Sequence, residues 1–149
     1  MRGWNKAAAM LAALAAQPVA ARGPLDRAFC AELERIVRAA DDAEPFRRLE
    51  ISRGAPPTLG FVHGCRRSGG ERRYFWLCGQ NLAPESLSAD RLAERTSACL
   101  PGAEPLPRRH PGERRFAVGA VEIRIHESGG PRAHVGRIVS YVVAAPPVE

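Results

Sequence analysis

Chemistry in this chain would have to come from four cysteines, four histidines and a set of paired arginines. The cysteines are Cys30, Cys65, Cys78 and Cys99; the histidines are His63, His110, His126 and His134. Neither a CxxC nor an HxxxH spacing occurs, so the motif of thiol oxidoreductases and the usual zinc signatures are both missing. A symmetric hairpin centred on Gly130 would set His126 opposite His134 with Glu127 adjacent. Cross-strand imidazoles of that kind bind zinc or copper, but no third histidine stands at a matching offset, so no metal ligand or cofactor is assigned. Arginine occurs in five adjacent pairs: Arg47-Arg48, Arg66-Arg67, Arg72-Arg73, Arg108-Arg109 and Arg114-Arg115. Guanidinium groups grip carboxylate and phosphate through paired hydrogen bonds. Arg66, Arg67, Arg72 and Arg73 flank one turn at Gly69-Gly70 and form the candidate binding site. Lipid phosphates, cell-wall carboxylates and acidic protein faces are partners of the right charge.

One stretch carries the outline of a catalytic triad. Glu127-Ser128-Gly129-Gly130-Pro131 resembles the Gly-Asp-Ser-Gly-Gly-Pro nucleophile motif of trypsin-like serine proteases. Val62-His63-Gly64-Cys65 resembles their Ala-Ala-His-Cys, and Asp90 falls between, so His63, Asp90 and Ser128 follow the family's order. The resemblance implies acyl transfer by that triad. The chain departs from the pattern at several points. Glu127 replaces the motif's Asp, His63 is displaced by one from the His-Cys pair, and two β-barrels need nearly twice this length. Ser-Gly-Gly-Pro is also an ordinary hairpin turn. There is no G-x-S-x-G elbow either. No catalytic residue is assigned, and an enzyme is the less favoured reading; a small hydrolase or a metal-binding periplasmic protein are the alternatives.

The elements that would position these groups follow an export signal. Arg2 and Lys6 form a positive segment, Ala7 to Ala16 an apolar core too short to span a bilayer, and Val19-Ala20-Ala21 a small-residue cleavage site. Residues 1–21 therefore read as a signal peptide, and the expected location is periplasmic or secreted. No lipid-anchor cysteine follows. Cleavage leaves a chain of about 130 residues, enough to bury roughly two-thirds of its unfolded surface. An even cysteine count in an exported chain predicts two disulfides.

Residues 25–40 carry Phe29, Cys30, Leu33, Ile36, Val37 and Ala40 at helical spacing. Residues 88–100 form a second amphipathic helix, with Ser88 as N-cap, Leu87 and Leu92 as a hydrophobic staple, and Pro101-Gly102 as the stop. Two antiparallel helices side by side would bring Cys30 to Cys99, which leaves Cys65 for Cys78. A tight turn centred on Gly69-Gly70 would not set those two directly opposite. Strands are predicted over 48–52, 58–64, 73–78, 103–106, 115–125 and 135–143, with Gly119 able to split the fifth. The expected fold is α+β, two helices packed on an antiparallel sheet in the order α-β-β-β-α-β-β-β. It forms a single domain over 22–143, with 144–149 as a loose tail.

The formal charge is +6, yet Lys6 is the one lysine beside 21 arginines, in a chain rich in Ala, Gly and Pro. A GC-rich genome produces that skew, so the arginine excess is not by itself a sign of an anionic partner. No dense basic stripe of the kind nucleic-acid binders carry is present. No run of 18 apolar residues crosses a membrane. The function these features fit is a small, exported, disulfide-stabilised, non-catalytic domain that binds an anionic or protein partner in the bacterial envelope.

Overall fold

The computed structural model describes residues 23–130 and 136–149. The signal segment 1–21 and His134 lie outside the described residues. Helix α1 is Pro24–Ala40, with Asp26 near its positive N-terminal end. Its apolar stripe of Phe29, Leu33, Ile36 and Ala40 is buried. A short helix, α2 (Arg47–Ile51), follows. Strands β1 (Cys65–Gly69) and β2 (Tyr74–Gln80) form a hairpin. Helix α3 (Ala89–Cys99) starts on Ser88, whose side chain accepts the Arg91 N–H, and Leu87 and Leu92 at the staple positions are both buried. Four strands complete the chain: β3 (Glu104–Leu106), β4 (Glu113–Val118), β5 (Val121–Gly129) and β6 (Arg137–Ala144).

These strands make one six-stranded antiparallel sheet in the order β1-β2-β6-β5-β4-β3. The fold is α+β, as the alternation of patterns predicts, with three α-helices among the described residues where two are expected. One face buries Trp76, Cys78, Phe116, Val121, Ile123, Ile125, Val139, Tyr141 and Val143. The helices cover this face. Phe29 of α1 meets Tyr141 edge-on at 6.3 Å between ring centroids, and Thr96 of α3 hydrogen-bonds the same tyrosine. Gly119 does split the fifth predicted strand, into β4 and β5.

Two predicted strands are not strands. Residues 48–52 are helix α2 with one residue beyond it, because five residues are too few to separate a period of 2 from one of 3.6. Residues 58–64 make two successive turns: Phe61 N–H donates to Thr58 O, and Gly64 N–H to Phe61 O. Leu59, Gly60 and Gly64 have positive φ, and the alternating Leu59 and Phe61 are plugs driven into the core. At the C-terminus β6 extends to Ala144, and beyond it Ala145 N–H donates to Tyr74 O and Val148 N–H to Arg72 O.

Both expected disulfides are present, Cys30–Cys99 and Cys65–Cys78, and no cysteine is free. The helices do not meet antiparallel, however. Asp26 and Phe29 meet Arg95 while Cys30 meets Cys99, so contacts advance in the same sense along α1 and α3. Cys65 and Cys78 are direct cross-strand partners because the hairpin is centred between Glu71 and Arg72, not on Gly69-Gly70. Gly69 holds φ +94°, and a side chain there would collide with Arg73 O.

The hydroxyl of Tyr141 shows how the core handles a polar group. It lies fully buried, 2.6 Å from Thr96 Oγ1, which in turn donates to Leu92 O. Burial pushes its ionisation well above the ordinary phenol range, against the smaller lowering effects of the Thr96 hydrogen bond and the Arg95 charge. Because the folded value is the raised one, stability is intact below the unfolded tyrosine's value. It falls as pH rises past about 10, by up to about 1.4 kcal/mol per pH unit for this group. Urea midpoints taken from about pH 8 to about pH 11 should therefore decline more steeply in the parent than in Tyr141→Phe. Equal slopes would show that this hydroxyl does not govern the alkaline limit.

Candidate functional site

The four hairpin arginines do not converge. Neighbours in a strand point to opposite faces, so Arg67 turns toward the helices and Arg66 away from them. Arg67 Nε donates to Pro45 O at 2.7 Å, its guanidinium lies 4.1 Å over the Tyr74 ring, and Glu50 stands 3.8 Å away. Arg73 Nε donates to Ala145 O at 2.6 Å, and its Nη1 reaches Glu122 at 3.5 Å. These two arginines pin neighbouring segments to the hairpin. Arg66 and Arg72 are exposed and their guanidinium groups make no ion pair or hydrogen bond within the described chain.

The sheet face turned away from the helices gathers the charge instead. The strand registers align Arg66 of β1, Leu77 of β2, Val142 of β6, Arg124 of β5, Arg115 of β4 and Leu106 of β3 in one row across the sheet. The next row holds Ser68, Phe75, Ala144, Glu122, Ala117 and Glu104. Glu122 is the centre of a cationic cluster. Arg115 donates to its Oε1 from Nη2 and Nε at 2.8 and 3.0 Å, Arg73 touches its Oε2, and Arg124 Nε stands 3.8 Å from Oε1. Burial works to raise the ionisation of Glu122. The Arg115 hydrogen bond and the charges of Arg124, Arg115 and Arg73 outweigh it and hold the carboxyl below its ordinary range. One carboxylate thus serves three guanidinium groups. The Arg124 contact is too long for a hydrogen bond, its Nε is buried without a partner, and its guanidinium stands 5.6 Å from the Phe75 ring centroid.

The loop between β3 and β4 closes over the same face. Arg109 N–H donates to the Glu113 carboxylate at 2.8 Å, and the His110 ring meets that of His126 edge-on at 4.7 Å. Arg108 and Arg109 are exposed in this loop, and among the described residues their guanidinium groups make no ion pair or hydrogen bond. The other paired arginines have partners: Arg47 with Glu50, Arg48 with Asp42, and Arg114 with Asp90.

The cross-strand partner of His126 is Ser140, in a register that runs from Glu122 and Ala144 out to Gly129 and Arg137; His134, the other histidine of the expected pair, lies outside the described residues. Among the described residues no three side chains of metal-ligating type come together. The protease-like residues are not assembled either. Asp90 lies in the first turn of α3 with its carboxylate held by Arg114 at 2.6 and 3.0 Å. Ser128 is a strand residue paired with Ile138 instead of a turn nucleophile, and no hydrogen bond links His63, Asp90 and Ser128.

The row escaped sequence reading because register, which only the fold fixes, puts residues from six separate segments side by side. Alternation in 121–126 did point Glu122, Arg124 and His126 to one side. Compared with known proteins, the chain matches no family model, no curated protein and no solved structure. Among the described residues no helix is long and apolar enough to cross a membrane.

Proposed function

We propose that the protein is a non-catalytic binding domain of the bacterial envelope, periplasmic or secreted, whose partner is negatively charged. The observation that carries this reading is the charge imbalance on the uncovered sheet face. Glu122 is shared by Arg73, Arg115 and Arg124, Arg66 stands exposed in the adjoining row, and Arg72, Arg108 and Arg109 are exposed in the turn and loop that border the sheet. Guanidinium groups left over from internal pairing, on a face that no described helix covers, are ready donors to carboxylate or phosphate. Of the four arginines that flank the hairpin, the reading keeps Arg66 and Arg72 as contacts and gives Arg67 and Arg73 the task of holding the hairpin in place. The two disulfides support a compartment outside the reducing cytoplasm, and the segment 1–21 supports export.

The test is binding of the oxidised protein to polyglutamate, to phosphatidylglycerol vesicles and to muramic-acid-containing wall fragments, each at low and physiological salt. We expect at least one to bind, with affinity falling as salt rises. Replacing Arg66, Arg72, Arg108 and Arg109 with Ser should weaken that binding at least tenfold, about 1.4 kcal/mol or more. The reading fails if neither these three nor an acidic peptide binds, or if the fourfold variant binds as well as the parent.

A further inference from the structure

We infer that the partner is a protein segment in which acidic side chains are separated by apolar ones, lying across the strands along the row Arg66, Leu77, Val142, Arg124 and Arg115. The inference rests on the anionic-partner reading and gives it a chemical class. The row is not uniformly charged. Arg66 stands at one end, Leu77 and Val142 follow as half-buried apolar neighbours, and Arg124 and Arg115 come next. Strands lie about 4.8 Å apart, so Arg66 and Arg124, three strands apart, are about 14 Å from each other. Same-side residues of an extended peptide repeat about every 6.8 Å, which places the outer carboxylates of Glu-x-Leu-x-Glu about 14 Å apart with the Leu side chain between them. The Leu would rest on Leu77 and Val142 while the two carboxylates reached Arg66 and Arg124.

Arg124 is the member of the Glu122 cluster with donor capacity left, since Glu122 is hydrogen-bonded by Arg115 and lies 3.8 Å from Arg124 Nε. An evenly charged polymer would set charge on Leu77 and Val142, where it gains no partner and is partly desolvated. A lipid surface is a poor match as well. Among the described residues the large apolar side chains that stand well exposed are Leu25, Ile51, Val62, Leu82 and Val148, none of them in the row, whereas Phe75, Leu77 and Val142 are half-buried.

The experiment uses the oxidised full chain and a fluorescein-labelled peptide of repeating Glu-Ser-Leu-Ser, read by anisotropy. Competitors are the same peptide with Gln for Glu, the same with Ser for Leu, polyglutamate and phosphatidylglycerol vesicles. The parent peptide should bind at least tenfold more tightly than each competitor. Arg124→Glu should weaken it at least tenfold. Arg66→Glu, at an exposed side chain, should do the same without touching the Glu122 cluster. If the Ser-for-Leu peptide, polyglutamate or the vesicles bind as tightly as the parent peptide, the protein-segment assignment is wrong while the anionic-partner reading stands. If no peptide, polymer or vesicle binds, both are wrong.

Discussion

Reducing both disulfides is expected to remove about 7 kcal/mol of folding stability, which is as much as many domains of this size possess in total. The two clasps contribute unequally. Cys30–Cys99 joins residues 69 apart in sequence and Cys65–Cys78 residues 13 apart. Chain entropy in the unfolded state then assigns about 4 kcal/mol to the first and about 3 kcal/mol to the second. Their structural consequences also differ. The first ties the start of α1 to the end of α3 over the buried sheet face, so the paired change Cys30→Ala with Cys99→Ala should lower the urea midpoint of the whole molecule. The second ties β1, an edge strand, to β2. Cys65→Ala with Cys78→Ala should loosen Arg66 and Arg67 before the core, seen as faster hydrogen exchange in β1 than in β5. Urea unfolding with and without dithiothreitol, alongside a free-thiol count, measures both. An unchanged midpoint in fully reduced protein would show that the core suffices alone, and would take away the link between the clasps and an oxidising compartment.

How far the fold is legible depends on how each segment buries itself. Residues 25–40 and 88–100 are long enough for a 3.6-residue period to show, and the cap at Ser88 and the staple of Leu87 and Leu92 mark one start to the residue. Val121, Ile123 and Ile125 alternate with Glu122, Arg124 and His126, which fixes both the strand and its faces. The disulfide partners follow from which elements each cysteine sits on, even though the relative direction of α1 and α3 does not. The stretch from 45 to 64 defeats the same reasoning. Its apolar residues alternate, yet Phe46 and Leu59 adopt positive φ, a backbone choice that pattern does not encode and that only the surrounding packing enforces. The candidate site is legible in its chemistry and not in its place. Paired arginines can be seen in the sequence, but internal partners claim Arg67, Arg73, Arg114 and Arg115, and pairing of six strands assembles the rest.

Trp76 is the side chain that fastens this irregular stretch to the sheet, and Trp76→Ala should cost about 3–5 kcal/mol, the range for emptying a large aromatic site in a core. It is among the largest fully buried side chains, on β2 between Arg67 of β1 and Val143 of β6. Its ring stands 6.2 Å from that of Phe46, which caps α2, and its indole N–H donates to Pro57 O at 3.3 Å. Two losses are folded into that substitution, and a second variant separates them. Trp76→Phe keeps most of the ring volume and removes the donor, which leaves a buried carbonyl unpaired at a cost of about 1–3 kcal/mol. The difference between the two variants is the cavity alone. Because Phe75 and Leu77 flank this residue on the opposite face, a pure stability effect predicts that peptide affinity per folded molecule stays at the parent value in Trp76→Phe. The measurements are urea midpoints for all three proteins and hydrogen exchange in α2, which should open first when the anchor is gone. If Trp76→Ala unfolds within about 1 kcal/mol of the parent, far below the cost of a buried aromatic, then the segment from 45 to 64 is held by Leu49, Leu59 and Phe61 without it.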